Sequence, residues 1–391
     1  MADRVVGHSA YALCAWHPVG GDISNFLRLR YKSRSNEETI GSFNEMELTM
    51  SDIDKPVEKS ALNSVCASRR SMLLGGAALS LGAGLPDFAH ARMPMAATNT
   101  PYFYRFPIGK FQATIVSDGP LALGEPSGAF KGLSKDEIQK SLSDNFLATD
   151  NIVLEQNVLV LNTGPRLVLF DTGMGTAKDF GTTTGRLLRS LAQAGIEPSR
   201  IDDVIFTHAH IDHIGGVVGP RGQRLFPNAT LHIAKSDYDF WTDESKLTGD
   251  LKAFVKHARF NLLPYKNRIK FVEDGKDVVP GVQAMAAPGH TVGHTIYVIK
   301  SENASFVFIG DTTHHQVLLT EKPRTEFAYD TDPKQAVQSR LKVFDMLAKD
   351  KLQFVAYHFP WPGVGHLAKQ GDGFRFYAEP MTIVPIPAKK A

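Results

Sequence analysis

The sequence predicts a single α/β domain in which helices cover the β-sheets. Short apolar runs rich in Val, Ile and Phe alternate with helical patterns, and no internal repeat or low-complexity linker interrupts them. Of the 391 residues, 43% are hydrophobic, which is typical of a globular chain. Because 43 Lys and Arg stand against 41 Asp and Glu, we expect neither nucleic acid nor an acidic membrane as a partner.

Strands and helices can be assigned in chain order from these runs. Strands are predicted at residues 113–116, 153–161, 167–170, 204–206, 230–233, 282–286, 295–299, 306–309 and 354–357. Helices are predicted at residues 134–142, 183–194 and 333–348. Ser134 and Glu137 have the spacing of a capping box, which indicates the start of the first helix.

The first 91 residues have the pattern of a processed leader. Residues 67–91 contain the pair Arg69-Arg70, a short apolar run and a small-residue cleavage site, as in twin-arginine export signals. The apolar run is too short to be a stable membrane anchor. We expect residues 1–66 to be an unstructured extension, with Met50 as an alternative start, residues 92–391 to fold, and the product to be periplasmic or secreted. Both cysteines precede residue 92, so a metal would be held by His and carboxylates alone.

The segment of residues 203–216, DVIFTHAHIDHIGG, contains four potential metal ligands within six residues. His208 and His210 follow a strand in extended chain and project to one side, whereas Asp212 and His213 lie at a turn into a helix. One loop could therefore serve two metal ions.

Three other predicted strands also end in a potential ligand. His290 follows the strand at 282–286, Asp311 follows 306–309, and His358 follows 354–357. Polar side chains at several strand ends of a rigid sheet are how α/β scaffolds assemble sites. We expect these residues to converge on the histidine loop.

The order of these motifs, beginning at Asp171 in Phe-Asp-Thr-Gly and ending at His358, resembles the metallo-β-lactamase superfamily. The segments VSDG, LFPNA, DFW, PGHTVGHT and PGVGH make the chain most similar to the branch of methyl parathion hydrolase and related lactonases and esterases. The resemblance implies an αββα sandwich with the site at one edge of both sheets.

The resemblance also implies a division of the ligands between two divalent cations. It assigns His208, His210 and His290 to the first metal, Asp212, His213 and His358 to the second, and Asp311 to both. Zn²⁺ is expected, with Mn²⁺, Fe²⁺ and Co²⁺ as alternatives. The expected reaction is attack of a metal-bridging hydroxide on a carbonyl carbon or on phosphorus, with Asp212 and Asp311 as catalytic residues.

Several neighbouring residues have secondary assignments. Asp171 is interpreted either as a residue that orients a ligand histidine or as part of a structural turn. His314 stands where related lactonases commonly have Tyr, and we expect it to line the pocket and to assist oxygen stabilisation or leaving-group protonation. Phe180, Trp241 and Phe260 are candidates for an apolar substrate wall, with ordinary core packing as the alternative.

We therefore expect a hydrolase of a small apolar ester, lactone or organophosphate. N-acyl homoserine lactone and β-lactam amide substrates are the alternatives, but true metallo-β-lactamases generally have Cys or a non-ligand at the position of Asp311. A metal-binding module without turnover would have an incomplete ligand set, and this set is complete. The substrate is a small molecule, and a homodimer is left open.

Overall fold

The structure, a computed structural model, describes residues 102–381. The predicted extension, the export signal and the cleavage site lie outside these residues. No helix within residues 102–381 is long and apolar enough to cross a lipid bilayer.

Two mixed seven-stranded sheets form the centre of the described part. In the order of neighbouring strands, the first sheet contains β1 (Phe103–Ile108), β2 (Phe111–Ser117), β6 (Asn157–Asn162), β7 (Leu167–Phe170), β8 (Asp203–Ile205), β9 (Thr230–Ala234) and β10 (Ile269–Val272). The second contains β11 (Asp277–Val279), β12 (Val282–Ala286), β13 (Thr295–Ser301), β14 (Ala304–Phe308), β16 (Gln353–Val355), β17 (Val364–Gln370) and β18 (Gly373–Ala378).

The two sheets pack face to face through buried aliphatic and aromatic side chains. Phe170 of the first sheet contacts Phe308 of the second, with ring centroids 5.4 Å apart, and Phe106 contacts Phe306 at 5.3 Å. Fully buried aromatic rings dominate the stabilisation of such cores because each removes a large apolar area from water.

Helices cover the outer faces of both sheets. On the first sheet, α2 (Leu187–Gln193) packs on β2 and α4 (Lys235–Thr242) on β9, with α5 (Lys252–Leu262) beside α4. On the second, α6 (Pro333–Lys349) packs on β17 and buries Val343, Phe344 and Leu347. The predicted αββα sandwich is therefore confirmed.

A small lobe with its own apolar core lies beside the sandwich. It contains β3 (Leu121–Gly124) paired with β5 (Ile152–Leu154), β4 (Phe130–Lys131) paired with β15 (Glu326–Phe327), and α1 (Lys135–Asp144). The predicted capping box starts α1, because Ser134 and Glu137 each accept a hydrogen bond from the other's backbone N–H.

The predicted helix at residues 183–194 is shorter in the structure and begins at Leu187. The carboxylate of buried Asp118 accepts hydrogen bonds from the backbone N–H groups of Met174, Gly185 and Leu187 at 2.8–2.9 Å. These bonds hold residues 183–186 in a loop. Gly173 is required here, because a Cβ at this position would lie 2.2 Å from the Asp118 carboxyl carbon.

Sequence patterns missed several further elements. The run at 153–161 is divided between β5 and β6, while β1, β3, β4, β10, β11, β15, β17, β18 and α4 were not predicted. Most of the missed strands are edge strands or short strands with exposed residues, and these lack a continuous apolar pattern.

Candidate metal centre

The predicted ligands lie at the ends of strands from both sheets. After β8 the chain remains extended through His208 and His210, and α3 (Ile211–Ile214) then carries Asp212 and His213. From the second sheet, His290 follows β12, Asp311 follows β14 and His358 follows β16. All seven side chains are buried.

The structure brings these seven side chains together in the two predicted groups. Donor atoms of His208, His210 and His290 lie within 4.8 Å of one another, as do those of Asp212, His213, Asp311 and His358. Asp311 faces both groups. The assignment of individual ligands to individual metal ions stays a prediction.

Four of the histidines are fixed in one orientation through Nδ1. The acceptors are the Thr207 hydroxyl for His208 (3.0 Å), Asp171 for His213 (2.8 Å), Asp330 for His290 (2.9 Å) and the main-chain oxygen of Glu155 for His358 (2.9 Å). Carboxylate and carbonyl oxygens only accept, and the Thr207 hydroxyl donates its own proton to Asp171. Nδ1 therefore carries a proton in each ring, and Nε2 points into the cluster.

The Nε2 atoms of three of these rings face the same carboxylate. The Oδ2 atom of Asp311 lies 3.3 Å from Nε2 of His213, 3.3 Å from that of His290 and 3.2 Å from that of His358. Nε2 of His208, His213 and His290 and Oδ1 of Asp311 are buried without a hydrogen-bond partner among the described residues. Acceptors this close repel unless positive charge lies between them. The donor set fits divalent cations such as Zn²⁺, Mn²⁺, Fe²⁺ or Co²⁺.

The electrostatics of the cluster agree with a demand for positive charge. Burial alone would lower the pKa of His290 and His358, but Asp311 and neighbouring carboxylates outweigh burial and raise both to about 9. Burial and nearby histidines lower the pKa of His208 and His210 well below the usual range. His208 and His210 are thus neutral, which is the state that binds metal.

Asp171 orients His213, one of the predicted ligands. One of its oxygens accepts from Nδ1 of His213, and its carboxylate also accepts from the hydroxyl and backbone N–H of Thr207. Its φ of +60° places it in the left-handed region, as in a tight turn. The contact with His213 favours the orienting role over a purely structural turn.

His294 and His366 do not belong to the cluster. Nε2 of His294 accepts from the backbone N–H of Asp311, and its Nδ1 donates to the main-chain oxygen of Ala287, so both nitrogens are engaged. Burial lowers the pKa of His294 to about 3. His366 is half-buried, and its Nε2 lies 3.4 Å from the carboxylate of Glu379.

His314 lines the pocket, as predicted. Its Nε2 lies 3.0 Å from Oδ2 of Asp311, and its ring stacks between Phe327 and His358 at centroid distances of 4.0 and 5.2 Å. Burial lowers its pKa to about 4, which favours a neutral ring. Together with His290 and Asp311, His314 forms a third group of potential ligands.

An apolar wall adjoins the polar cluster in the same pocket. Its lining side chains are Leu121, Leu123, Leu154, Phe180, Phe254, Phe327 and Tyr329. Phe180 has the predicted position. Most of the others come from the small lobe.

Trp241 and Phe260 are not among the residues that line this pocket, and for Trp241 the structure agrees with the alternative of ordinary packing. Trp241 is buried and packs edge-on against the ring of His210, with centroids 5.0 Å apart, because α4 places it behind that ligand. Phe260 is 46% exposed on α5. Phe254 of the same helix lines the pocket instead.

Three residues that support the centre were missed. Asp237 accepts from the backbone N–H groups of Ala209 and Gly293 at 2.7 and 2.8 Å. The Tyr357 hydroxyl donates to the main-chain oxygen of Asp212, and Asp330 holds His290. Each contact joins positions at least 28 residues apart, so no local pattern could have revealed it.

Comparisons with known proteins identify the family of the chain. A family profile described as the metallo-beta-lactamase superfamily matches residues 152–366, more than half of the chain. The solved structure of AidC, a dizinc quorum-quenching lactonase in complex with a product, is 31% identical, with a TM-score of 0.67 over 72% of this chain and 98% of that one. The chain therefore belongs to the metallo-β-lactamase superfamily.

Other similar proteins are hydrolases by name. The crystal structure of hydrolase AbOPH is 29% identical, with a TM-score of 0.68, and the match covers 73% of this chain and 100% of that one. An N-acyl homoserine lactonase of Bacillus thuringiensis is 26% identical over 172 residues, 44% of this chain. The match spans 60% of that lactonase's length. The prediction of a metal-dependent superfamily hydrolase is confirmed, whereas the narrower likeness to methyl parathion hydrolase stays a prediction.

Proposed function

We propose that the chain is a dinuclear metal-dependent hydrolase that opens a lactone or cleaves an ester carrying an apolar tail, with N-acyl homoserine lactones as the first substrate class. The observation that carries this proposal is the meeting of a carboxylate–histidine cluster and an apolar wall in one pocket. The resemblance to lactonases supports the choice of substrate.

In this proposal each residue of the cluster is assigned to one of two cations or to both. His208, His210 and His290 would hold one cation, Asp212, His213 and His358 the other, and Asp311 would contact both. When bound, the cations supply a water-derived nucleophile at neutral pH and polarise the substrate oxygen. Asp212 is suited to holding a cation because its carboxyl group is ionised. Burial alone would raise its pKa, but His213 and His358 outweigh burial and lower it.

The pocket walls position the substrate and exclude water. The aromatic side chains of Phe180, Phe254 and Phe327 present apolar surface beside the cluster, which suits an acyl chain. The ring of His314 lies between this wall and Asp311. We propose that it assists the reacting oxygen, in the place where related lactonases have Tyr.

The test is a side-by-side assay of the full chain with its bound metals measured. N-acyl homoserine lactones of increasing acyl length, p-nitrophenyl esters, methyl parathion and a cephalosporin would be compared. We expect two metal ions per chain and the highest kcat/KM on a lactone or ester with an apolar tail. Fastest turnover of the cephalosporin would contradict the proposal. Full activity in metal-depleted Asp212→Ala would contradict the metal mechanism.

Organophosphate hydrolysis is the second candidate. The segments that resemble methyl parathion hydrolase favour it, and the same apolar wall suits an aromatic leaving group. A kcat/KM on methyl parathion above that on every lactone and ester would make it the leading function.

We also propose export through the Arg69-Arg70 signal. The arginine pair, the apolar run and the small-residue site support this assignment. In a bacterial host with a twin-arginine pathway, changing both arginines to Lys should retain the chain in the cytoplasm. Unchanged recovery of the double variant from the periplasm would refute it.

A further inference from the structure

Arg340 of α6 is a fully buried cation beside the candidate metal centre. It is 1% exposed, and its guanidinium donates to the main-chain oxygens of Thr312 (3.0 Å), Pro323 (3.0 Å) and Thr325 (2.7 Å). A buried charge is strongly unfavourable unless its donors are satisfied and a counter-charge is near. The counter-charge here is Asp330, whose Oδ2 lies 3.7 Å from Nη2 of Arg340.

Asp330 connects this cation to a predicted metal ligand. Its other oxygen accepts the Nδ1 proton of His290 at 2.9 Å. The backbone reinforces the contact, because Thr331 N–H donates to the His290 oxygen and Asp332 N–H to the Gly289 oxygen, at 2.9 and 2.8 Å. The two segments therefore lie side by side, and the His290 ring is fixed with Nε2 toward Asp311.

The same guanidinium also holds the segment that carries His314 and leads into two residues of the apolar wall, Phe327 and Tyr329. The three carbonyls that it binds belong to residues 312–325, which connect His314 to Phe327 and Tyr329. Arg340 thus contacts Asp330, which holds the predicted ligand His290, and also the segment that leads into the apolar wall.

We propose that Asp330 and Arg340 are positioning residues for the metal centre: Asp330 fixes the tautomer and orientation of His290, and Arg340 holds Asp330 and the wall segment in place. The inference rests on the proposed metal centre. A carboxylate behind a histidine ligand raises the basicity of the ligand and orients it, and its loss typically costs about 10- to 100-fold in metal affinity.

The chain contains a matched control for this arrangement. Arg166, Asp203 and His232 form a second arginine–carboxylate–histidine row, with the His232 Nε2 to Asp203 Oδ1 distance at 2.8 Å and an Arg166 nitrogen 2.6 Å from the carboxylate. Asp203 and His232 are also buried, but none of the three lines the pocket or belongs to a metal-ligand group. Asp203→Asn therefore removes an equivalent charge away from the centre.

The experiment measures zinc affinity on the full metal-free chain by competition with a chromophoric chelator. We expect Asp330→Ala to lower the affinity for one of the two zinc ions by about 100-fold. Asp330→Asn should lower the same affinity by about 10-fold, because Asn keeps an oxygen acceptor without the charge. Arg340→Lys should lower the affinity for the same zinc ion by a smaller factor than Asp330→Ala does. Asp203→Asn should stay within about twofold of the wild type, since its bond lies outside the centre.

Urea unfolding of each metal-free variant checks that it is folded. Wild-type affinity for both zinc ions in folded Asp330→Asn and Asp330→Ala would overturn the inference. An equal loss in Asp203→Asn would also overturn it, because the loss would then reflect general destabilisation. If the wild-type chain bound neither Zn²⁺ nor Mn²⁺, Fe²⁺ or Co²⁺, the proposed function itself would fail. This outcome is distinct from failure of the inference, because it concerns the wild type and not the variants.

Discussion

The polar floor of the pocket and its apolar wall are built in different ways. The floor consists of the seven predicted ligands, five of which line the pocket, and it sits on strand ends of the sandwich. Four of the seven side chains are held by a hydrogen bond through Nδ1. The wall, formed by the seven apolar lining residues, comes mainly from the small lobe and is held by packing. The difference indicates that the floor determines the reaction and the wall determines the substrate.

The strongest test of the floor is Asp311→Ala. Asp311 faces both groups of predicted ligands, so its loss removes the charge on which the histidines converge. We expect kcat/KM to fall by about 10³-fold or more and bound metal to fall with it. Steady-state assays and metal analysis would check this. Retention of both metals with near-normal turnover would contradict the assignment of the reaction to the floor.

His314→Ala tests the boundary between the two regions. We expect kcat to fall by about 10²-fold while metal content stays normal, because the ring adjoins the reacting oxygen in the proposed function. His315→Asn is the matched control: His315 does not line the pocket, and Asn can still accept the N–H bonds of Val317 and Leu318. Unchanged turnover in metal-loaded His314→Ala would end the proposed role.

Phe254→Ala and Phe260→Ala compare a residue of the apolar wall with an exposed residue on the same helix, α5. Truncation of Phe254 should raise KM for long-chain acyl substrates by about tenfold with little change for short ones, because apolar contact is lost. Phe260 is exposed, and its truncation should leave KM unchanged. Kinetics across acyl lengths would check this, and equal effects of the two variants would contradict the assignment of the wall.

Asp118→Asn should change the stability of the fold but not the reaction, because Asp118 holds the two ends of the loop that carries Phe180. Burial, opposed by backbone N–H bonds, raises the pKa of Asp118 to about 6. Between about pH 4 and pH 6 the folded state therefore binds more protons than the unfolded state, so this carboxyl destabilises the fold increasingly as pH rises. The full cost above pH 6 is about 3 kcal/mol.

The variant should gain free energy of unfolding relative to the wild type from pH 4 to pH 7. Asn lacks one acceptor, so its absolute stability can be lower at every pH. Urea unfolding of both proteins across this range measures the difference, and a difference that does not change with pH would show that Asp118 keeps an ordinary pKa.

The same contrast explains what the sequence could predict. The predicted ligands His208, His210, Asp212 and His213 stand in one short segment after a strand, and the other predicted ligands each follow an apolar strand, so local patterns were enough to propose them. Asp330 meets His290 across 40 residues, and only the fold brings the two together. Phe254 and Phe260 share α5, but a separation of six residues places them on different faces, and composition cannot decide which face meets the pocket.

The distribution of the ligands between the two sheets links metal binding to folding. Four ligands follow β8 of the first sheet, and three follow β12, β14 and β16 of the second. Neither sheet alone offers the complete set, so cations bind tightly only when both sheets are docked. By mass action, free metal at about 100 times its Kd adds about 2.7 kcal/mol per site to the free energy of unfolding. The unfolding midpoint should therefore rise with metal concentration, and chelation should loosen the sandwich at the edge where its two halves meet.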